Sequence, residues 1–292
     1  MRRRLLVLLL ASAVPWIQVR IDASSGFRAQ EEILYLWSGE QVRRLCPGFE
    51  ALMADIYWIR TVQYFGGQRA FAQEKRFDLL EPLVNITTTL DPKLEIAYRY
   101  GAVFLSEARP FGAGRPEAGI ALLERGAQQL PRSWILQQNL GFYTYFYLRD
   151  PHRAAAAVLK AARLPGAPVW LENMAADFLV KGGERETARR IWMRMYEQSE
   201  EGPIKANARS QLQRLDALEG ADILTRQVRV FVAKTGRLPG SLAELGRAGL
   251  LPFPPNDPTG IPFEYRADTG KVEIARGSQL WRVPGPLGSG YQ

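Results

Sequence analysis

A single cysteine, Cys46, and a single histidine, His152, stand in a chain of 292 residues. That scarcity excludes much. No intramolecular disulfide is possible, and zinc sites built from Cys and His lack ligands. A Cys-His nucleophile pair would have to join two unrelated contexts. Cys46 sits in Arg43-Arg44-Leu45-Cys46-Pro47, where it is expected to pack as a small apolar residue. His152 follows Asp150-Pro151 at an expected helix start, where it caps or faces water. The chain also lacks Gly-x-Ser-x-Gly, His-Glu-x-x-His, a Walker loop and a dinucleotide fingerprint. Gly112, Gly114 and Arg115 form a Gly-rich stretch. No strand precedes it and no Gly-Lys-Ser/Thr follows, so it reads as an inter-helix turn. Nor is there a dense Lys/Arg block beyond the N-terminus. The formal charge of +8 therefore reads as a solvated helical surface, and nucleic acid is not an expected partner.

What is present is enough apolar material for a core. Hydrophobic residues make up 47% and aromatic residues 11%, a globular composition. Arg2-Arg3-Arg4 precede a short apolar run, Leu5 to Ile17, with a small-x-small site at Ala11-Ser12-Ala13. Residues 1–20 are thus expected to be a signal peptide or an N-terminal membrane anchor. The rest would face the periplasm, tethered to the inner membrane or released. Residues 21–46 form a connector with a short extended piece, Ile33 to Trp37. Ser38 and Gln41 have capping-box spacing for a first helix.

From Pro47 to Phe65, Leu52, Ile56, Ile59 and Val62 recur at helical spacing, and Gly66-Gly67 is expected to stop the helix. Asp55, inside this apolar string, is expected to be buried and paired with an arginine such as Arg60. A second helix is expected from Phe77 to Leu90, and Asn85-Ile86-Thr87, a glycosylation triplet, falls inside it. Glu81, Asp91 and Glu95 are the nearest thing to a carboxylate cluster, and they read as helix-terminal acids.

The stretch from Asp91 to Glu197 is periodic. Ala118, Ala154 and Ala188 recur at steps of 36 and 34, each followed four positions later by a bulky residue, Leu122, Val158 and Trp192. Gly101, Gly141 and Ala176 supply a second small position, and Tyr98, Trp134 and Trp170 an aromatic one. Small residues let two helices approach closely, and the bulky neighbour fills the next groove. Leu140-Gly141, then Ala154, Ala161 and Pro165 resemble the tetratricopeptide (TPR) pattern, whose period is ~34 residues. That resemblance implies an α-solenoid of stacked helix hairpins over residues 47–220, working as a protein-binding scaffold. Candidate contacts on its concave face are Tyr98, Tyr145 and Trp170, with Arg99 and Arg132 for acidic groups. Each aromatic has packing between helices as its alternative role.

Residues 221–292 form a small α/β module. Ile204 to Leu218 and Ile223 to Lys234 read as two closing helices, with a short helix in Leu238 to Leu245. Ile261 to Tyr265 and Lys271 to Ile274, joined by Asp268-Thr269-Gly270, read as a β-hairpin. The order Leu-Pro-x-Ser-Leu, then Asn256-Asp257-Pro258-x-Gly260-x-Pro262-Phe263, resembles the C-terminal part of type II secretion pseudopilins. A prepilin-type N-terminus is missing, so the resemblance implies a module shape and an envelope setting. The whole reads as mainly α and non-catalytic, with no cofactor or metal and with protein partners in a secretion- or pilus-like envelope complex. A permanent structural subunit of a membrane complex is the alternative. A carboxylate-based hydrolase on an α/α fold is the second.

Overall fold

The computed structural model describes residues 37–251 and 255–281. The expected leader at 1–20, its Ala11-Ser12-Ala13 site and nearly all of the connector's extended piece lie outside the described residues. The described residues are mainly helical, with eleven helices and one two-stranded sheet. None of these helices is long and apolar enough to cross a membrane. The chain divides into two compact units. One runs to Asp91 and includes Arg109–Ala113; the other takes Pro92–Ala108 and everything from Gly114.

In the first unit, α1 spans Gly39–Leu45, α2 Glu50–Ala70 and α3 Leu80–Leu90. The Ser38 capping box forms as expected. Gln41 N–H donates to Ser38 Oγ (3.3 Å), and Ser38 N–H donates to Gln41 Oε1 (2.8 Å). Helix α1 lies so close to α3 that a Cβ on Gly39 would come within 2.5 Å of Thr89 Cβ. Helix α2 passes through Gly66-Gly67 to Ala70 rather than stopping there. Two glycines cost a helix about 2 kcal/mol, and tertiary ties offset this. Phe65 packs on Phe77, with ring centroids 5.8 Å apart. The Tyr64 hydroxyl donates to the Arg76 carbonyl (2.7 Å), and Arg76 N–H to Gln68 Oε1 (2.9 Å).

Two further expectations for α2 are corrected. Its buried positions are Ala54, Thr61 and Phe65, so Leu52, Ile56, Ile59 and Val62 point outward. Asp55 is exposed, not buried, and so needs no compensating arginine. Helix α3 carries the Asn85-Ile86-Thr87 triplet in its interior; the Thr87 and Thr88 hydroxyls return to the carbonyls four residues back, both at 2.9 Å.

The second unit runs α4 Glu95–Ser106, α5 Pro116–Gln129, α6 Trp134–Leu148, α7 Pro151–Ala162, α8 Trp170–Lys181, α9 Arg185–Gln198 and α10 Pro203–Thr235. Each packs on the next in sequence. The close approaches lie where small residues meet. A Cβ on Gly141 would sit 2.8 Å from the Ala154 carbonyl oxygen, and one on Gly119 would sit 3.0 Å from that of Ala102. Gly119, not Ala118, is thus the first of the tight positions. Ala118 is half-buried, while Ala154 and Ala188 are fully buried. Leu122, Val158 and Trp192 are buried as expected. Trp192 Nε1 donates to Asn173 Oδ1 at 2.8 Å inside the core. Helix α8 is buried along most of its length, because α10 contributes Ala208 and Leu215 to the same cluster. Between α9 and α10, Arg189 binds Asp216 (2.7 Å) and Glu219 (2.8 Å), and Arg185 pairs with Asp222.

Helix α10 is one helix of 33 residues where two were expected. Gly220 does not break it. It is buried with Ala217 and Ala221 as a small-residue face. The boundary expected at residues 220 and 221 falls inside this helix. Its second half supplies Leu224, Val228 and Phe231 to a core shared with α11 (Leu242–Arg247) and with Phe263, Val272 and Ile274. The hairpin forms as expected: β1 (Glu264–Arg266) and β2 (Lys271–Glu273) pair antiparallel, with Tyr265 opposite Val272. Gly270 turns it at φ +71°.

Asp257 organises the loop before β1. Its Oδ1 accepts from Thr259 N–H (2.8 Å), the Thr259 hydroxyl (2.6 Å) and Ile261 N–H (3.1 Å), and its Oδ2 accepts from the Ser278 hydroxyl. Burial pushes against its charge. The Ser278 and Thr259 hydroxyls, with two amides, outweigh this and hold the carboxyl below the ordinary aspartate value.

Candidate protein-binding surface

The surface is built on the first helix of each pair in the second unit, α4, α6 and α8. Helix α4 has two stripes. Ala97, Tyr98, Gly101, Ala102 and Leu105 face the core. Ile96, Tyr100 and Val103, at i, i+4 and i+7, are exposed, Tyr100 by 47%. Helix α6, Trp-Ile-Leu-Gln-Gln-Asn-Leu-Gly-Phe-Tyr-Thr-Tyr-Phe-Tyr-Leu, is apolar around most of its circumference. Such a helix is normally enclosed. Here Phe146 remains 49% exposed, stacked on Phe142 at 5.9 Å and 14°. Tyr143 is buried. Burial, reinforced by Tyr147 and Glu107, holds its phenol far above the ordinary value, so it stays protonated.

Helices α6 and α8 are joined by aromatic pairs. Trp134 meets Trp170 edge-on at 6.4 Å, and Tyr145 stacks on Phe178 at 4.5 Å. Lys181 Nζ lies 4.8 Å from the Tyr145 ring centroid and 2.8 Å from Asp177 Oδ2. Burial works against the lysine charge. Asp177 and Tyr145 outweigh it and hold the Lys181 pKa above its ordinary value. Asp177 is itself buried, with Arg214 of α10 at 3.9 Å as a second cation. This buried carboxylate had no signal in the sequence, because its partners lie four and 37 residues away.

The five sequence candidates separate cleanly. Tyr98 is 0% exposed. It packs where a Cβ on Gly126 would come within 2.7 Å of its ring, so it is a core residue and presents nothing to a partner. Arg99 is half-exposed and paired with Glu95 at 3.5 Å. Arg132 is exposed in the turn between α5 and α6. Tyr145 and Trp170 both lie at the α6–α8 seam; Tyr145 is half-buried and Trp170 is 42% exposed. Ile96, Tyr100, Val103 and Phe146 were missed. For the first three the signal was the second i, i+4 stripe of α4, offset from its small-residue face; for Phe146 it was that α6 is apolar on more sides than its neighbours cover.

The residues set aside as catalytic are held structurally. Cys46 Sγ donates to the Val42 carbonyl (2.9 Å) and packs on the α1–α3 core. His152 Nδ1 meets Glu184 Oε1 at 2.5 Å, tying the start of α7 to the α8–α9 turn. Glu81 and Glu95 lie in the first turns of α3 and α4, where acids complement the helix dipole. Asp91 instead caps the C-terminus of α3, against that expectation. Among the described residues no three His, Cys, Asp or Glu side chains gather as metal ligands. Comparison with known protein families, with characterised proteins and with solved structures finds no match.

Proposed function

We propose that this chain is a non-catalytic scaffold of tetratricopeptide-type helix pairs. It is carried across or held at the inner membrane by its N-terminal segment and binds a protein partner. The observation that carries the reading is the exposed second stripe of α4, Ile96, Tyr100 and Val103, together with Phe146 on α6. Both are first helices of their pairs, and in stacked hairpins first helices line the inner, ligand-holding face. Aromatic side chains that are rigid and partly dry are the residue types that anchor interfaces. An amphipathic helix or an extended apolar segment suits such a face. Arg99 and Arg132 supply positive charge for an acidic flank. The pseudopilin-like arrangement around Asp257 supports an envelope machine as the setting.

Photo-crosslinking in intact cells tests this. A photoreactive residue replacing Tyr100 or Phe146 should give one discrete protein adduct. The same residue at Gln128 or Arg163, exposed on or beside the second helices, should give none. Equal adducts from both sets, or none from the first, would sink the proposal.

A further inference from the structure

The outermost face of α2 carries no charged side chain. Phe49 at its N-cap, then Leu52, Ile56 and Ile59, fall within about 80° of the helix circumference. That arc lies about 180° around the helix from the buried trio Ala54, Thr61 and Phe65. A helix face aimed straight at water is normally its most polar one. Here the charges stand at the edges of the stripe, Asp55 on one side and Arg60 on the other, and the ridge between them is apolar. Apolar exposure also starts before the helix, with Trp37, the first described residue, and Leu45. All six apolar side chains are between 40% and 64% exposed.

Two properties of the stripe choose its occupant. The first is chemical. Its four apolar positions offer no hydrogen-bonding side chain. A protein partner takes about one hydrogen bond per 100–200 Å² and draws on Trp, Tyr and Arg anchors, of which the stripe has none. Hydrocarbon asks only for apolar side chains with polar groups at the margins, the make-up of helices that lie in the plane of a bilayer surface. Arg60, exposed at the edge of the stripe, is long enough to keep its guanidinium among lipid phosphates while the stripe lies deeper. The second property is position in the chain. Only residues 18–36 separate Trp37 from the apolar run Leu5 to Ile17. Fully extended they span about 65 Å, so a chain held in the membrane by that run keeps α2 within reach of the surface.

We propose that α2 lies along a phospholipid bilayer, with Phe49, Leu52, Ile56 and Ile59 in the boundary between headgroups and acyl chains. This rests on the membrane setting proposed above and adds a second contact to it. Two weak membrane contacts hold a chain far better than one. The second also orients the first unit, with α3 turned away from the lipid.

Photolabelling from the lipid side tests this on the unaltered full chain. The chain is reconstituted into vesicles of phosphatidylethanolamine and phosphatidylglycerol that carry a phospholipid with an aryl diazirine on its acyl chain. After illumination, tryptic peptides are scored for lipid adducts. Cleavage after Arg44 and Arg60 puts the whole stripe in one peptide, Leu45 to Arg60. Cleavage after Arg132 and Arg149 gives the control, Ser133 to Arg149, which carries the exposed Phe146. Labelling of the stripe peptide should exceed that of the control at least about tenfold. Leu52→Gln with Ile59→Gln changes only exposed positions. It should cut labelling of the stripe peptide about tenfold and leave the leader peptide, Leu5 to Arg20, unchanged. A stripe peptide labelled no more than the control overturns the proposal; a second copy or the chain's own residues lying on the stripe would give that result. Labelling that survives both glutamines overturns it too. A labelled leader beside an unlabelled stripe removes this contact and keeps the anchor. A labelled stripe beside an unlabelled leader does the reverse, so the two readings fail separately.

Discussion

Two glycines of this chain should answer the same substitution with opposite signs. Gly141 and Gly66 are both helical, and replacing either with alanine gains about 1 kcal/mol of helix propensity. At Gly66 nothing opposes that gain, because the added methyl enters open space. At Gly141 the methyl would sit 2.5 Å from Val158 Cγ2 and 2.8 Å from the Ala154 carbonyl oxygen. The valine methyl can turn aside. The carbonyl is main chain of α7 and retreats only if the whole helix does. Overpacking of this kind costs about 1–3 kcal/mol, and a backbone obstacle puts it at the upper end. The expectation is a net loss of about 2 kcal/mol for Gly141→Ala and a gain of up to about 1 kcal/mol for Gly66→Ala. Urea unfolding followed by circular dichroism reads both as shifts of midpoint at constant slope. If Gly141→Ala matches or exceeds the parent in stability, the close α6–α7 contact is not what the glycine is for, and the packing argument for the small positions fails with it.

Two further predictions rest on single hydrogen-bonded groups. Trp192→Phe keeps a ring in the core but leaves Asn173 Oδ1 without its donor; the cost is about 2–4 kcal/mol. Thermal unfolding should show Asn173→Leu relieving part of it in the double variant and nothing of the sort in the parent. The Asp257 carboxyl is held below its ordinary value in the native module, so the unfolded chain binds its proton first as pH falls. Its contribution is complete above about pH 4, the ordinary aspartate range, and decays as pH drops through the lower native value. Near-ultraviolet dichroism from Tyr265 and Trp281 should lose amplitude in that acid window. In Asp257→Asn the module should be weaker at neutral pH and should lack that acid step. Identical acid profiles would remove Asp257 from its organising role.

Local chemistry was legible in the sequence, and facing was not. The Ser38–Gln41 box, the hairpin around Gly270, and the burial of Ala154, Ala188, Val158 and Trp192 all follow from spacing and residue type. Periodicity told that α2 has an apolar side. It did not tell that the side is turned away from α3, because two of the three buried positions, Ala54 and Thr61, carry little hydrophobic signal and only Phe65 marks that face. The same ambiguity misplaced Tyr98. An aromatic at a repeated position fits either stripe of α4, and only packing against Gly126 decides between them. Glycine misled twice, at Gly66-Gly67 and at Gly220. A glycine weakens a helix by only about 1 kcal/mol; around Gly66-Gly67 the loop at Arg76 and Phe77 ties the flanking residues down, and Gly220 lies on the buried small-residue face of α10.

Helix α10 joins two cores without a joint. Its residues to Leu215 complete the cluster around α8 and α9, and from Ala217 onward they are the floor of the hairpin module. The changeover takes two residues inside an unbroken rod about 50 Å long. The module is therefore keyed to the helices before it like a cam on a shaft. One residue added or removed at the changeover would swing the hairpin by about 100° around the rod and shift it along by about 1.5 Å, so the length of this helix, more than the identity of its exposed residues, sets where the module points.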